Sequence, residues 1–177
     1  MELTPKDIPI EFLQGLPEGI KLVSRKGHPY LVLEQAEDKN GNSITDDSVH
    51  IHGEPAVKLK AKVGNSEGLL FVDAYWGSHA KLYSFIPDFD SGGSVEAFSP
   101  IDNSSLMVPW ECPIDGCDEK HGILLTLPGN QNSIIVCGKL GCPGHHINVT
   151  QLAEGISESI SNINYFGYGD DDPFSDF

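Results

Sequence analysis

The chain has 177 residues, of which 39% are hydrophobic, so it is long enough to bury a core and is not disordered overall. Acidic residues outnumber basic residues by 26 to 11, which gives a net charge of −15. This charge argues against non-specific coating of nucleic acid or of anionic membranes, although it is compatible with a local basic patch. The N-terminus shows no targeting signal and the apolar runs are strand-length, so we expect a cytoplasmic protein that binds no membrane.

The first 108 residues have the pattern of a β-rich domain. Short apolar runs at 20–23 and 30–33 and a longer run at 68–76 predict strands separated by glycine and proline. Residues 57–63 alternate strictly between small apolar residues and lysines, which predicts a strand with one buried face. That face consists of Val57, Leu59, Ala61 and Val63. Strands at this spacing indicate a small antiparallel barrel or sandwich.

The four cysteines form two matched pairs, Cys112 with Cys117 and Cys137 with Cys142. Each pair encloses four residues, and a glycine directly precedes the second cysteine, which suits a tight turn that brings two thiolates to one ion. The segment between the pairs contains two apolar runs around Pro-Gly-Asn, which predicts a β-hairpin that brings the turns together. Because intracellular proteins rarely keep disulfides, we predict that the four cysteines hold one structural Zn²⁺.

This segment resembles the zinc-ribbon class, in which a β-hairpin joins two cysteine knuckles, although the commonest ribbons have two residues between paired cysteines. A helix after the second pair would resemble the treble-clef arrangement. The resemblance covers residues 109–164 and implies an architecture and not a function. One alternative stays open, because His145 or His146 could replace a cysteine as a ligand.

Apolar residues spaced by three or four predict one amphipathic helix after the cysteines. They are Val149, Leu152, Ile156, Ile160 and Ile163. Asn148 and Gln151 are spaced as a capping box at its start. The predicted fold class is therefore mainly β with an α+β zinc module. The predicted organisation is a β-rich domain over 1–108, a zinc-binding hairpin plus helix over 109–164, and an acidic flexible tail over 165–177.

His50 and His52 alternate on a predicted strand, so their imidazoles should point to one face. With His79 and a carboxylate such as Glu54 or Asp73, they could form a second, catalytic metal site. Their spacing matches no metal-site pattern, and a solvated strand face is the more common reason for such a pair. A metal-dependent enzyme that uses the His50/His52 region is therefore the alternative to a non-catalytic protein.

Lys58, Lys60 and Lys62 form a stripe on the exposed face of their predicted strand. Aromatic residues lie on neighbouring strands, namely Tyr75, Trp76, Tyr83 and Phe85. Lysines beside aromatic rings commonly bind single-stranded nucleic acid on small β domains. Lysines that protect an edge strand from aggregation are a more common reason for this pattern.

The last residues form an acidic segment with two phenylalanines. Its main candidate contacts are Asp170, Asp171, Asp172, Phe174 and Phe177. The segment resembles the acidic tails, ending in phenylalanine, of bacterial and phage single-stranded DNA-binding proteins, and this resemblance implies recruitment of a protein partner with a basic pocket. The expected function is a non-catalytic, zinc-stabilised binding or adaptor protein, with single-stranded DNA binding as its specific form.

Overall fold

The computed structural model describes residues 8–25, 27–76, 82–85, 94–139, 142, 144–150 and 154–163. Over these residues, eleven strands and two short helices are present, and the strands form three antiparallel sheets. The prediction of a mainly β fold with an α+β part is therefore confirmed. The three sheets are open, and the described part of the chain forms no closed barrel.

The first sheet is a hairpin beside a short N-terminal helix. The helix α1 covers Ile10–Gln14, and the hairpin consists of β1 (Ile20–Arg25) and β2 (His28–Leu33). Phe12, near the centre of α1, is fully buried and belongs to the main hydrophobic core. The helix therefore packs against the main core through Phe12.

The second sheet has five strands and is built around a long central strand. Its members are β3 (Thr45–Ile51), β4 (Glu54–Val63), β5 (Ser66–Val72), β6 (Leu82–Ser84) and β7 (Glu96–Phe98). The order is β3-β4-β5-β6, and β7 pairs with the second half of β4, beyond the part that pairs with β3. The alternation predicted for 57–63 is confirmed, because the four small apolar side chains are between 0% and 7% exposed.

The strand predicted over residues 68–76 ends earlier, at Val72. Residues 73–76 leave the five-stranded sheet and pair with β2 of the first hairpin. The N–H of Leu33 donates to the carbonyl of Ala74 at 2.9 Å, and the N–H of Trp76 donates to the carbonyl of Leu31 at 2.9 Å. This crossing connects two sheets and carries Tyr75 and Trp76 into the core.

The third sheet contains the hairpin predicted between the cysteine pairs. Its strands are β8 (Met107–Pro109), β9 (His121–Thr126), β10 (Asn132–Cys137) and β11 (His145–Val149), in the order β11-β10-β9-β8. The hairpin is β9–β10, and the helix α2 (Glu154–Ser161) follows β11. No membrane-spanning helix occurs in the described part of the chain, since neither α1 nor α2 is long and apolar enough to cross a bilayer.

The predicted C-terminal helix is wrong at its start. Val149 lies in β11, where it pairs with Asn132 of β10, and Asn148 lies in the same strand, so it cannot cap a helix. The buried residues His145, Ile147 and Val149 alternate with more exposed ones, and pairing with β10 overrides the helical spacing. Helix α2 has eight residues, and Ile160 near its end is fully buried.

One hydrophobic core runs from Ile8 to Ile163 and includes residues on both sides of position 108. Backbone hydrogen bonds also join residues from before and after position 108. Glu37 and Thr126 exchange two such bonds, at 2.8 and 3.0 Å. The cysteine-bearing segment therefore packs on the β-rich part. The division into residues 1–108 and 109–164 stays a prediction.

Candidate metal centre

The Sγ atoms of the four cysteines lie within 4.8 Å of one another. Cys112 and Cys142 are separated by 3.6 Å, and Cys117 lies 3.7 Å from both Cys137 and Cys142. These distances far exceed the S–S bond of about 2.05 Å in a disulfide, and all four cysteines are unbridged. The four thiols could therefore bind one metal ion. In the described part of the chain, no other group of histidines, cysteines and carboxylates comes this close together.

Two tight turns and the hairpin bring the cysteines together. Cys112 and Cys117 lie between β8 and β9, Cys137 ends β10, and Cys142 precedes β11. In each turn the second cysteine donates its N–H to a carbonyl three residues earlier, at 3.0 Å for Cys117 and 3.2 Å for Cys142. Gly116 has a φ of +86°, so the first turn needs the glycine as the spacing predicted.

Backbone N–H groups point at two of the sulfur atoms. The N–H of Lys139 lies 3.5 Å from the Sγ of Cys137, and the N–H of Gly144 lies 3.5 Å from the Sγ of Cys142. In each case the donor comes two residues after the cysteine. Such N–H groups favour the thiolate form and fix the direction of the sulfur, which is what a metal ligand requires.

Burial and hydrogen bonds between the thiols shift the pKa values of three of the cysteines. Burial, with the charge of Cys142 as a further cause, raises the pKa of Cys112 to about 12. A hydrogen bond to Cys142, together with burial, raises the pKa of the Cys137 thiol above its usual range. The same bond lowers the pKa of Cys142 to about 5. A divalent cation between the sulfurs would replace the protons that Cys112 and Cys137 hold.

The two histidines after the second turn lie beside groups outside the sulfur cluster. His145 is buried, its Nε2 lies 2.9 Å from the carbonyl of Ile163, and its ring packs edge-on against Trp76. The Nδ1 of His146 lies 3.1 Å from the hydroxyl of Ser161. The structure therefore brings the four cysteines together and places neither histidine among them.

The prediction that His50 and His52 share a strand face is wrong. His50 is exposed near the end of β3, whereas His52 follows the strand in a turn, with a φ of +54°. The Nδ1 of His52 lies 2.5 Å from the Oδ2 of Asp73, whose side chain is fully buried. His79, the predicted third ligand, lies outside the described residues, and the described part of the chain forms no second metal group.

A polar cluster that the sequence did not indicate surrounds this contact. The Nε of Arg25 lies 2.5 Å from the hydroxyl of Tyr75, and the same guanidinium donates to the backbone carbonyl of His52. Burial is the main cause that raises the pKa of Tyr75. The backbone N–H of Tyr75 donates to Asp73 at 3.0 Å. The cluster thus ties the first hairpin to the β3–β4 turn.

The face of β4 that carries the three lysines lies beside carboxylates of the neighbouring strands. Lys58 lies 3.8 Å from a carboxylate oxygen of Asp46, and Lys60 donates to the side-chain oxygen of Asn103 at 3.0 Å. Lys62 lies opposite Glu67 on β5 and Glu96 on β7 in the strand register. Tyr75 and Trp76 are 1% and 5% exposed in the core, so their rings are not on this face.

Two phenylalanines lie beside the lysines on this face, namely Phe85, which the sequence indicated, and Phe98, which it did not. Lys60 lies opposite Phe98 on one side and opposite Leu69 on the other, and the N–H of Phe85 donates to the carbonyl of Leu69. Phe85 is 68% exposed and packs edge-on against Phe71, with ring centroids 5.8 Å apart. Phe98, Lys60, Leu69 and Phe85 therefore form a row across the sheet, which we call the Lys60 row.

The acidic segment, with Asp170, Asp171, Asp172, Phe174 and Phe177, lies outside the described residues. Tyr83 lies on β6 opposite Phe71 in the strand register.

Comparisons with protein-family models, with curated proteins and with solved structures gave no match to this chain. The candidate metal centre and the Lys60 row are therefore interpreted from their own chemistry.

Proposed function

We propose that this chain is a non-catalytic binding protein whose fold is stabilised by one structural zinc ion. The sulfur separations of 3.6 and 3.7 Å carry this proposal. A tetrahedral zinc site with Zn–S bonds of about 2.3 Å places its sulfurs about 3.8 Å apart. Four sulfur ligands also complete the coordination of zinc and leave no position for a catalytic water. Such a site supports folding and does no chemistry.

Metal analysis tests this proposal directly. Native mass spectrometry of protein purified without chelator should show one zinc per chain. Replacement by Co²⁺ should give the visible spectrum of tetrahedral thiolate coordination. Cys142→Ser should lose the metal, whereas the matched variant His146→Ala should keep it, because that ring bonds to Ser161. Protein without zinc, or a variant pair that behaves the same, would contradict a four-cysteine site.

For the ligand, we propose single-stranded nucleic acid bound across the Lys60 row. Lysines at alternate positions of β4 lie about 7 Å apart on one face. The exposed ring of Phe85 beside them offers a surface on which a base could stack. Asp46, Glu67 and Glu96 compete for the lysines. We therefore expect binding that is modest and strongly dependent on salt.

Fluorescence anisotropy with a fluorescein-labelled oligothymidylate tests this ligand. Lys60→Gln removes the central charge of the row, and Phe85→Ala removes the exposed ring, so each should weaken binding. Lys120→Gln is the matched control, because Lys120 is 65% exposed on the β8–β9 connection, outside the five-stranded sheet. No measurable binding at low salt, or equal losses in all three variants, would rule out this face as a nucleic-acid site.

We further propose that the acidic segment over residues 170–177 recruits a protein partner. Support for this comes from the sequence, because the segment resembles the partner-recruiting tails of single-stranded DNA-binding proteins. Four aspartates and no basic residue keep such a segment from folding alone. A partner with a basic pocket that accepts a phenylalanine ring would suit it.

A further inference from the structure

A groove of about 360 Å³ opens between β7 and the third sheet, beside the second cysteine turn. Val95, Phe98 and Met107 line its apolar side, and Glu96, Glu119 and His121 line its polar side. Its volume falls within the range of about 300–1,000 Å³ that is usual for ligand sites. We call it the Glu119 groove.

Glu119 has a buried side chain whose carboxylate accepts two hydrogen bonds. The residue is 9% exposed, and its carboxylate accepts hydrogen bonds from the Ser94 hydroxyl and from the backbone N–H of His121, the latter at 3.2 Å. The His121 ring lies 3.6 Å away through its Nδ1. These donors orient the carboxylate, and they bring no permanent positive charge to it. Glu96 is exposed at the rim, where it lies opposite Lys62 in the strand register, so Glu119 is the buried carboxylate of the groove.

The groove is attached to the candidate metal centre through Gly138. The N–H of Val95 donates to the carbonyl of Gly138 at 2.7 Å, and the N–H of Gly138 donates to the carbonyl of His121 at 3.1 Å. Gly138 directly follows Cys137, so the residue before β7 bonds to the start of the second cysteine turn. The segment before β7 and the second cysteine turn are therefore joined by backbone hydrogen bonds through Gly138.

We infer that the Glu119 groove binds a lysine or arginine side chain of a peptide partner. The aliphatic stem of such a side chain would lie against Phe98 and Met107, and its charged end would meet the carboxylate of Glu119. The net charge of −15 attracts a basic partner and disfavours occupation of the groove by the chain's own acidic segment. Apart from Phe98, the Lys60 row lies elsewhere, so this inference does not rest on nucleic-acid binding.

The chain offers a built-in reporter, because it contains two methionines, Met1 and Met107. Protein labelled with ¹³C at the methionine methyl groups should give two NMR signals, which Met107→Leu assigns. The probe is an acetylated and amidated alanine pentapeptide with one central lysine. It should shift the Met107 signal until saturation. A matched peptide with norleucine, which keeps the stem and lacks the charge, should shift Met107 much less.

Paired variants complete the experiment. Glu119→Gln should weaken binding of the lysine peptide about tenfold or more, because it removes a charge-assisted hydrogen bond. Glu67→Gln, an exposed carboxylate on β5 outside the groove, should leave it unchanged. If Glu119→Gln loses its zinc or its fold, Phe98→Ala replaces it and should also weaken binding. Equal shifts with the lysine and norleucine peptides, equal losses in the two glutamate variants, or a shift caused only by the oligothymidylate would overturn the inference.

Discussion

Gly144 lies so close to the Sγ atom of Cys112 that a Cβ at this position would overlap the sulfur. The same Cβ would also press on Ile114. The carbonyl of Gly144 accepts the N–H of Cys137 at 2.9 Å, and its own N–H points at the Sγ of Cys142. One glycine therefore contacts three of the four cysteines. Its signal in the sequence is the Pro-Gly pair directly after Cys142.

Gly144→Ala should damage the metal centre. The added methyl group must push the Cys112 sulfur aside, and overpacking of this kind costs about 1–3 kcal/mol of unfolding free energy. We expect a lower melting temperature and faster zinc release to a chromophoric chelator. Gly155→Ala is the matched control, because it places the same methyl group in open space on α2. There we expect a neutral to stabilising change of up to about 1 kcal/mol. Equal zinc release from both variants would contradict the packing argument.

Zinc affinity should fall as the pH falls. The raised pKa of Cys112, about 12, means that its thiol keeps a proton at neutral pH, and the raised pKa of Cys137 has the same consequence. Zinc uptake must then release at least two protons, so each pH unit should change the apparent affinity about a hundredfold. Competition with a chelator at two pH values measures this, and calorimetry in buffers of different ionisation enthalpy counts the protons. An affinity that does not change with pH would show that the metal-free thiols are already ionised.

The features predicted correctly from the sequence are encoded locally. The alternation over residues 57–63 needs only a sheet with one buried face, and the glycine before Cys117 needs only a tight turn. The hairpin between the cysteine pairs is likewise marked by its own apolar runs and its Pro-Gly turn. For the same reason, the spacing of the four cysteines is enough to group them into one site.

The errors arise where distant pairing decides the outcome. Val149 has helical spacing with Ile156 and Ile160, yet it belongs to β11 because β10 offers it a strand partner. Tyr75 and Trp76 looked like exposed rings, but residues 73–76 cross to β2, and the indole N–H of Trp76 donates to the carbonyl of Ile160. No local pattern records such a crossing.

His52→Ala should lower the unfolding free energy by about 1–3 kcal/mol, because it leaves the buried carboxylate of Asp73 without its imidazole partner. His50→Ala, the control two residues away, should stay within about 0.5 kcal/mol, since this side chain is exposed. Urea denaturation of the two variants measures the difference. Equal stability in both variants would mean that the His52–Asp73 contact contributes nothing to folding.

The last prediction concerns the acidic segment and the Lys60 row. Residues 170–177 carry four carboxylates and no basic residue. If nucleic acid binds at the lysines of β4, these carboxylates repel it and compete with it, so deletion of the eight residues should strengthen binding of oligothymidylate. The effect should be largest at low salt, because the screening length falls from about 10 Å at 0.1 M to about 3 Å at 1 M salt.

The same deletion should abolish capture of a partner that has a basic pocket for a phenylalanine ring. Replacing Asp170, Asp171 and Asp172 by asparagine, with both phenylalanines kept, separates charge from ring. This variant should strengthen oligonucleotide binding as the deletion does, because competition depends on charge alone. Partner capture should weaken in the asparagine variant and disappear when Phe174 and Phe177 are replaced by alanine. Unchanged oligonucleotide affinity and unchanged partner capture after the deletion would remove the proposed role of the acidic segment and leave the zinc-stabilised binding protein without it.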